Sequence, residues 1–316
     1  MATSFTTKDE LLDVQSRIAP YLHRTPVLTS QSINEIVGVE LFFKCENFQK
    51  MGAFKMRGAA GALSAMSDSD RVKGVVTHSS GNFAQAVALS AKMNNVPAYI
   101  VMPENAPAVK KAAVRGYGAT IIEVESTQQA REAGAAKVGQ ETGATFAHPS
   151  NQIEVILGNA TAGMELFEEI SDLDAVFTPV GGGGLLAGTA LATKHFSPKT
   201  KVFGGEPMGA DDAWRSLQAG HIIPMVNPDT IADGLRTSLG DVNFPIIQEL
   251  VEEIIRVEED EIVAAMRLVW ERMKIIIEPS CAVPVAAVIK QKERFTSQRI
   301  GIIITGGNVD LGNLPF

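Results

Sequence analysis

The sequence predicts an α/β protein of two lobes, each built on a mainly parallel sheet flanked by helices. Three observations carry that expectation. Short β-branched runs alternate with helical patterns, the rhythm of compact βα units. The turns that follow several strands are rich in glycine, serine and asparagine, at residues 79–82, 181–184 and 305–308. Ligands in open α/β sheets bind beyond the carboxyl ends of the strands. The chain has 316 residues and is 45% hydrophobic but only 6% aromatic, enough for two aliphatic, alanine-rich cores.

Taken in order, the chain opens with a capping box, Thr7 with Glu10, ahead of Leu11, Val14 and Ile18 on one helical face. Arg24-Thr25-Pro26-Val27-Leu28 then reads as extended. An apolar strand, Leu41-Phe42-Phe43, leads into Asn47-Phe48-Gln49-Lys50-Met51-Gly52-Ala53-Phe54-Lys55-Met56-Arg57-Gly58, around which the rest of the chain is organised. Met56, Leu63 and Met66 fall near one helical face, so Lys55 is expected in the first turn of a helix. Partial positive charge at a helix start, and apolar Phe54 and Met56 on either side, both disfavour an ammonium there. An amine with a depressed pKa is what Schiff-base chemistry needs. The ordinary alternative is a solvated lysine.

Strands are expected at 74–77, 98–102, 120–124 and 145–147, with helices from 82 through 91, at 108–115 and at 126–140. A second series follows: a helix at 158–170, a strand at 175–178, four glycines, a helix at 185–195, and a strand at 201–205 ended by Glu206. Helices at 244–250, 259–273 and 282–290 precede a buried-looking strand at 299–304.

Net charge is −8 and no lysine- or arginine-rich run is present, which argues against nucleic acid or an anionic membrane as partner. Cys45 and Cys281 have neither metal-ligand spacing nor the density of a disulfide framework. Lys8, Asp9 and Glu10 precede any apolar run, so no secretory signal is expected, and no stretch approaches the ~20 apolar residues of a membrane span. The expected location is cytoplasmic.

Gly181, Gly182, Gly183 and Gly184 can turn backbone N–H groups onto an anion at a helix N-terminus, which makes a phosphate cup. No Gly-Lys-Ser/Thr follows, so it is not a P-loop. Gly182, Gly184 and Ala187, with Glu206 about 20 residues on, loosely match a dinucleotide fingerprint. A nicotinamide-dependent oxidoreductase is therefore an alternative, and a ligand-free tight turn another. His78-Ser79-Ser80-Gly81-Asn82 could hold a carboxylate or simply cap a helix. The Thr305 hydroxyl could meet a ring nitrogen or cap a turn. Glu206, the Ala210 carbonyl and Asp212 could bind Mg2+ or Ca2+, or be a solvated acidic loop. His148, His195 and His221 fit no metal or triad spacing and read as ordinary residues.

The ordered set of Gln49-x-x-Gly52-x-Phe54-Lys55-x-Arg57-Gly58, Ser79-Ser80-Gly81-Asn82, the four glycines and Thr305-Gly306-Gly307-Asn308 resembles the fold-type II pyridoxal-phosphate enzymes. Within them it is most similar to the serine racemases and serine/threonine dehydratases. The likeness runs from Arg24 to Asp310, and with six residues after Asp310 the regulatory domain of biosynthetic threonine dehydratases is not expected. The resemblance implies a large cofactor-binding lobe of residues 1–74 and 149–316, a small mobile lobe of residues 75–148, and a homodimer. It implies that Lys55 carries pyridoxal 5'-phosphate as a Schiff base with Phe54 beside the ring. Asn82 would bond the ring hydroxyl, the four glycines would hold the phosphate, and Thr305 would face the pyridine nitrogen. Ser79, Ser80, Gly81, Asn82, Phe83 and Ser150 would lie around the substrate. The divalent-cation site would be Glu206, Ala210 and Asp212. Glu278 and Asp310 fall in family-like motifs without an assigned step.

The implied chemistry acts on β-hydroxy amino acids. The ring delocalises the electrons left when the α-proton departs, and the freed Lys55 amine is the base on one face. Loss of the β-hydroxyl gives a keto acid and ammonia. Return of a proton from the other face, at Ser80, gives racemisation. Phe83, Asn159-Ala160-Thr161, Met56 and Ser280-Cys281 depart from the family's usual residues. Phe83 and Ser150, near where the substrate's carboxylate and side chain would sit, leave open serine, threonine or 3-hydroxyaspartate as substrate; Arg236 could meet a second carboxylate but reads first as an exposed arginine. A non-catalytic ligand-binding protein on the same fold is the remaining alternative.

Overall fold

The computed structural model describes residues 5–316. Its elements in chain order are α1 (Lys8–Ile18), β1 (Val27–Leu28), α2 (Gln31–Val37), β2 (Glu40–Cys45), α3 (Lys55–Ser64), α4 (Asp68–Lys73), β3 (Val75–His78), α5 (Asn82–Asn94), β4 (Ala98–Pro103), α6 (Ala108–Gly116), β5 (Thr120–Val124), α7 (Gln128–Thr142) and β6 (Thr145–Phe146). There follow α8 (Ile153–Glu169), β7 (Ala175–Pro179), α9 (Gly184–Phe196), β8 (Lys201–Pro207), α10 (Asp212–Ala219), α11 (Phe244–Leu250), β9 (Glu253–Val257), α12 (Glu259–Met273), α13 (Pro279–Lys290) and β10 (Arg299–Ile304).

Six strands form one sheet in the order β1-β2-β10-β7-β8-β9, and four form another in the order β5-β4-β3-β6. Every pairing is parallel except that of the short edge strand β1 with β2. Central strands β7 and β10 are buried almost throughout, as parallel strands covered on both faces must be. The cores are aliphatic, with the Phe177–Phe203–Phe295 ring cluster as the main aromatic group.

The expected capping box at Thr7 and Glu10 forms. Three expectations need correction. Helix α8 begins at Ile153, not at 158, because Ile153, Val155 and Ile156 continue its apolar face N-terminally. Strand β9 has no counterpart among the expected strands: Glu253-Ile254-Ile255-Arg256-Val257 is short, and its charged residues hide a strand that pairs only with β8. Helix α13 begins at Pro279, whose missing N–H is harmless in a first turn.

Helix α3 packs in two directions. Ala59, Ala62 and Leu63 sit in the core of the four-stranded sheet with Phe83 and Val87 of α5. On its other side α3 meets α8 so closely that a Cβ at Gly61 would come 2.4 Å from the Glu154 carbonyl oxygen. The helix that starts with Lys55 is thus shared between the two sheets.

Candidate active site

The loop before α3 is clamped to the carboxyl end of β10. Phe54 N–H donates to Thr305 O (2.9 Å) and Gly307 N–H to Gly52 O (3.0 Å), and Ala53 bridges antiparallel to Gly306. This fixes Lys55 beside Thr305. The Lys55 Nζ donates to Pro149 O at 2.9 Å and lies 5.1 Å and 5.7 Å from the ring centroids of Phe54 and Phe83. Burial is the main cause that pulls its pKa down to about 8, and the Glu278 carboxylate pulls it partly back. The depression expected from the sequence is present, with desolvation as its leading cause.

The four glycines follow β7 and start α9. Gly183 has φ +77°, and a Cβ on Gly184 would come 2.7 Å from the Ser150 carbonyl oxygen. Asn243 Nδ2 ties this run to its neighbour, donating to Gly182 O (2.8 Å) and Ser150 O (3.2 Å). The N-terminus of α9 has no side-chain cap, so its amides can serve an anion. Ser150 lies against the glycine run rather than in an open pocket.

Asn82 opens α5 and reaches across to the larger sheet. Its Nδ2 donates to both Glu278 oxygens (3.1 Å each), and its Oδ1 accepts from Asn308 Nδ2 (2.9 Å). Burial pushes the Glu278 carboxyl up to about 7, against the hydrogen bond from Asn82. Glu278 and Asn308 are thus site residues that sequence reasoning leaves without a task; the Glu-Pro pair at 278–279 was the signal available. Ser79, Ser80 and Gly81 form the half-buried tip between β3 and α5, where Ser79 Oγ accepts from Gly81 N–H at 3.4 Å. Phe83 is 2% exposed and belongs to the core of the four-stranded sheet, with its ring toward the lysine amine.

Thr305 is 2% exposed, and its Oγ1 meets no nitrogen or oxygen partner among the described residues, only the Cys281 thiol beside it. The adjacent Cys281 thiol is pushed up to about 12 by burial and shares its hydrogen between Gly306 O (2.8 Å) and Glu278 O (3.1 Å). A buried hydroxyl left in this way costs free energy unless a ligand atom meets it.

Arg236 does not face this cleft in a free state: its guanidinium donates to Thr230 O. Arg236 is exposed, which is the reading its sequence context favours over contact with a second substrate carboxylate. Ser280 Oγ accepts from Gly234 N–H (3.2 Å), which supports the loop behind Gly181. Asn159 is fully buried in α8 against Gly58, and its amide has no partner among the described residues.

Glu206 ends β8 and caps α10, accepting from Ala213 N–H (2.9 Å) and Trp214 N–H (2.8 Å). Both Asp212 oxygens are buried without a hydrogen-bond partner among the described residues, although the Leu239 backbone lies toward them electrostatically. Burial raises Asp212 to about 7 and Glu206 well above the usual carboxylate range. Asp211 is compensated by Arg215 and Arg256 (2.8 Å each). No group of three His, Cys, Asp or Glu side chains suited to a metal occurs among the described residues. The candidate set therefore has two carboxylates and one carbonyl.

The sequence profile of the pyridoxal-phosphate dependent enzymes matches residues 18–306. The chain belongs to that family. The serine racemase of Dictyostelium discoideum is 49% identical over 99% of this chain and 98% of its own. Its crystal structure superposes with a TM-score of 0.94, covering 98% of this chain and 100% of that one. The beta-hydroxyaspartate dehydratase of Paracoccus denitrificans is 46% identical over 98% of both chains. The T.th. threonine deaminase is 44% identical, with a TM-score of 0.92 and coverage of 97% and 99%. Family membership removes the nicotinamide alternative. So does Glu206, whose two oxygens are spent on the N-terminus of α10 instead of a ribose.

The residues present fit pyridoxal phosphate. A half-buried amine of lowered pKa, a buried Thr305 hydroxyl whose one polar neighbour among the described residues is the Cys281 sulfur, and an uncapped glycine-formed helix start supply a place for its aldehyde, its ring nitrogen and its phosphate.

Proposed function

We propose that the protein acts on β-hydroxy amino acids, racemising them, dehydrating them to a keto acid and ammonia, or both, with serine or threonine as substrate. Bound pyridoxal phosphate supplies an aldehyde for amines and a conjugated ring that takes up the electron pair left by a departing α-proton. Lys55 holds the cofactor and, once freed, moves the α-proton at its Nζ. Phe54 lies along the ring. Gly181, Gly182, Gly183 and Gly184 would bind the phosphate through their amides, and Asn82 would serve the ring hydroxyl. Thr305 would face the ring nitrogen as a neutral hydroxyl, which supplies no counter-charge to a protonated ring and so would favour loss of a leaving group. Ser79, Ser80, Gly81 and Asn82 would surround the substrate, with the buried Phe83 ring and Ser150 behind them, and Ser80 would serve the opposite face. The observation that carries this reading is the half-buried Lys55 amine, which faces a carbonyl and two rings and has no carboxylate within hydrogen-bond reach.

Glu206, the Ala210 carbonyl and Asp212 would hold Mg2+ or Ca2+. The unpartnered Asp212 oxygens support this, since hard cations take oxygen ligands. We further propose a homodimer in the cytoplasm, whose small lobe of residues 75–148 moves against a large lobe of residues 1–74 and 149–316. The segregation of β3, β4, β5 and β6 into their own sheet supports such a division. No helix among the described residues is long and apolar enough to cross a membrane.

Dehydration of 3-hydroxyaspartate is the second reading, favoured by the relative from Paracoccus denitrificans at nearly the same identity as the racemase. Incubation with L-serine, D-serine, L-threonine and the hydroxyaspartate stereoisomers, scoring keto acid and enantiomer together, tests both. Turnover confined to hydroxyaspartate selects the second reading, and no turnover of any of them refutes both. Ser80→Ala should abolish racemisation while L-serine elimination persists. Racemisation that survives unchanged removes Ser80 from that role.

A further inference from the structure

His148 is the last residue before Pro149, whose carbonyl holds the Lys55 amine. Its Nδ1 accepts two backbone hydrogen bonds, from Ser150 N–H (3.1 Å) and Asn151 N–H (2.8 Å). Only an unprotonated Nδ1 can accept, so the ring is neutral with its hydrogen on Nε2. The same turn is closed from outside by His148 N–H donating to Gln152 Oε1 (2.9 Å). Its Ser150 backbone is the surface against which Gly184 has no room for a Cβ. One imidazole therefore sets a turn that touches both the lysine amine and the glycine run.

We infer that neutral His148 is a positioning residue for Lys55, and that its protonation releases the turn and the amine together. The inference rests on the reading above that Lys55 carries the cofactor. The groups facing the ring come from several elements. His78 of β3 stands edge-on at 6.0 Å between ring centroids, and Phe146 of β6 also lies at 6.0 Å. Lys55 of α3, Glu132 of α7 and Asp241 before α11 act on it electrostatically, and Arg131 acts on His78. Burial, then His78 and Lys55, hold the imidazole down to about 4, and Glu132 and Asp241 only partly oppose this. The unfolded chain takes up a proton at 6.5 that the folded one refuses until about 4, so stability falls as pH drops through that window.

The test uses the holoenzyme with His148→Ala and His148→Asn. Asparagine places Oδ1 where the imidazole had Nδ1 and cannot titrate. His148→Ala should lower kcat by about 10²-fold, as displaced catalytic groups do, with a smaller change in KM and a weakened lysine-bound cofactor absorbance. His148→Asn should restore most of that rate and that absorbance. It should also lose about one proton from the pH dependence of unfolding between 6.5 and about 4. An asparagine variant as impaired as the alanine one, or one that keeps the wild-type pH slope, overturns the inference. If the alanine variant does not fold, the asparagine variant and its pH slope decide alone. A wild type whose cofactor is not reducible onto Lys55 by borohydride overturns the underlying reading instead, so the two failures are distinguishable.

Discussion

Lys55 and Arg57 lie two residues apart at the start of α3, the first half-buried and the second fully buried, and the structure treats their cationic groups oppositely. Arg57 donates to Glu46 (2.7 and 2.8 Å), to Glu165 (2.8 and 2.7 Å) and to Thr161 (3.1 Å). Lys44 completes the group, donating to Glu165 (2.6 Å) and to Thr25 O (2.7 Å). Two cations face two carboxylates, and the Arg57 guanidinium is held above its ordinary pKa by Glu46 and Glu165 despite the burial that opposes it. Lys55 meets a single carbonyl and is drawn down to about 8. Asp212 repeats the pattern with opposite sign, buried without a partner and pushed up to about 7. Burial alone therefore does not mark a site in this protein. Burial without a counter-charge does, because such a group is left for a ligand to complete.

The largest effect should come from removing the unpaired cation. Lys55→Ala should abolish the lysine-bound cofactor and lower turnover by more than ~10³-fold, within the range for loss of a proton-transferring group. Folding stability should hold or rise slightly, since no ion pair is broken; full activity in this variant ends the assignment. Arg57→Met should do the reverse. It leaves Glu46 without its cation and Glu165 with Lys44 alone, and breaking a buried pair from one side costs about 3–5 kcal/mol, read by denaturant unfolding. An Arg57 variant as stable as wild type would mean that the network contributes little.

Much of this was legible in the sequence, and the limits are physical. The glycines and Thr305 are legible because each follows the end of a parallel strand, and Lys55 because the helical pattern after it marks it as a helix start. The Glu278–Asn82–Asn308 contact was not legible, since its members are 196 and 226 residues apart and nothing local records which carboxylate an amide will meet. The same holds for the bond of Arg57 to Glu165, 108 residues away. His148 reads as ordinary because its task is to accept backbone hydrogen bonds, and that leaves no spacing signature. Strand β9 is hidden by its charged residues, and the start of α8 by the absence of a capping side chain.

Asp212→Asn sharpens the same comparison at smaller scale. The folded state keeps the Asp212 proton to about 7 and the unfolded chain releases it at 3.8, so wild type loses stability as pH rises between those values. The asparagine variant lacks that loss. Without divalent cation it should be more stable than wild type above pH 7 by on the order of 1–2 kcal/mol, after allowance for its own buried amide. It should also lose any rise in Tm on adding Mg2+ or Ca2+. A wild type whose melting temperature is unchanged by complete cation removal would count against the site.

The smallest effect belongs to a pair that is matched but not buried. Lys110 of α6 reaches Asp233 at 3.1 Å, with side chains 34% and 57% exposed, and joins the four-stranded side of the cleft to the six-stranded side. Water and salt weaken such a pair, so Lys110→Ala should cost under about 1 kcal/mol, which is at most a fivefold change in KM. The deeper tie between Asn82 and Glu278 crosses the same gap without that screening. The Lys110 effect should vanish near 1 M salt, where the screening length is about 3 Å, while that of Asn82→Ala should persist. If both respond equally to salt, the cleft is wetter around Glu278 than its burial implies, and the contrast between paired and unpaired buried charge loses its basis there.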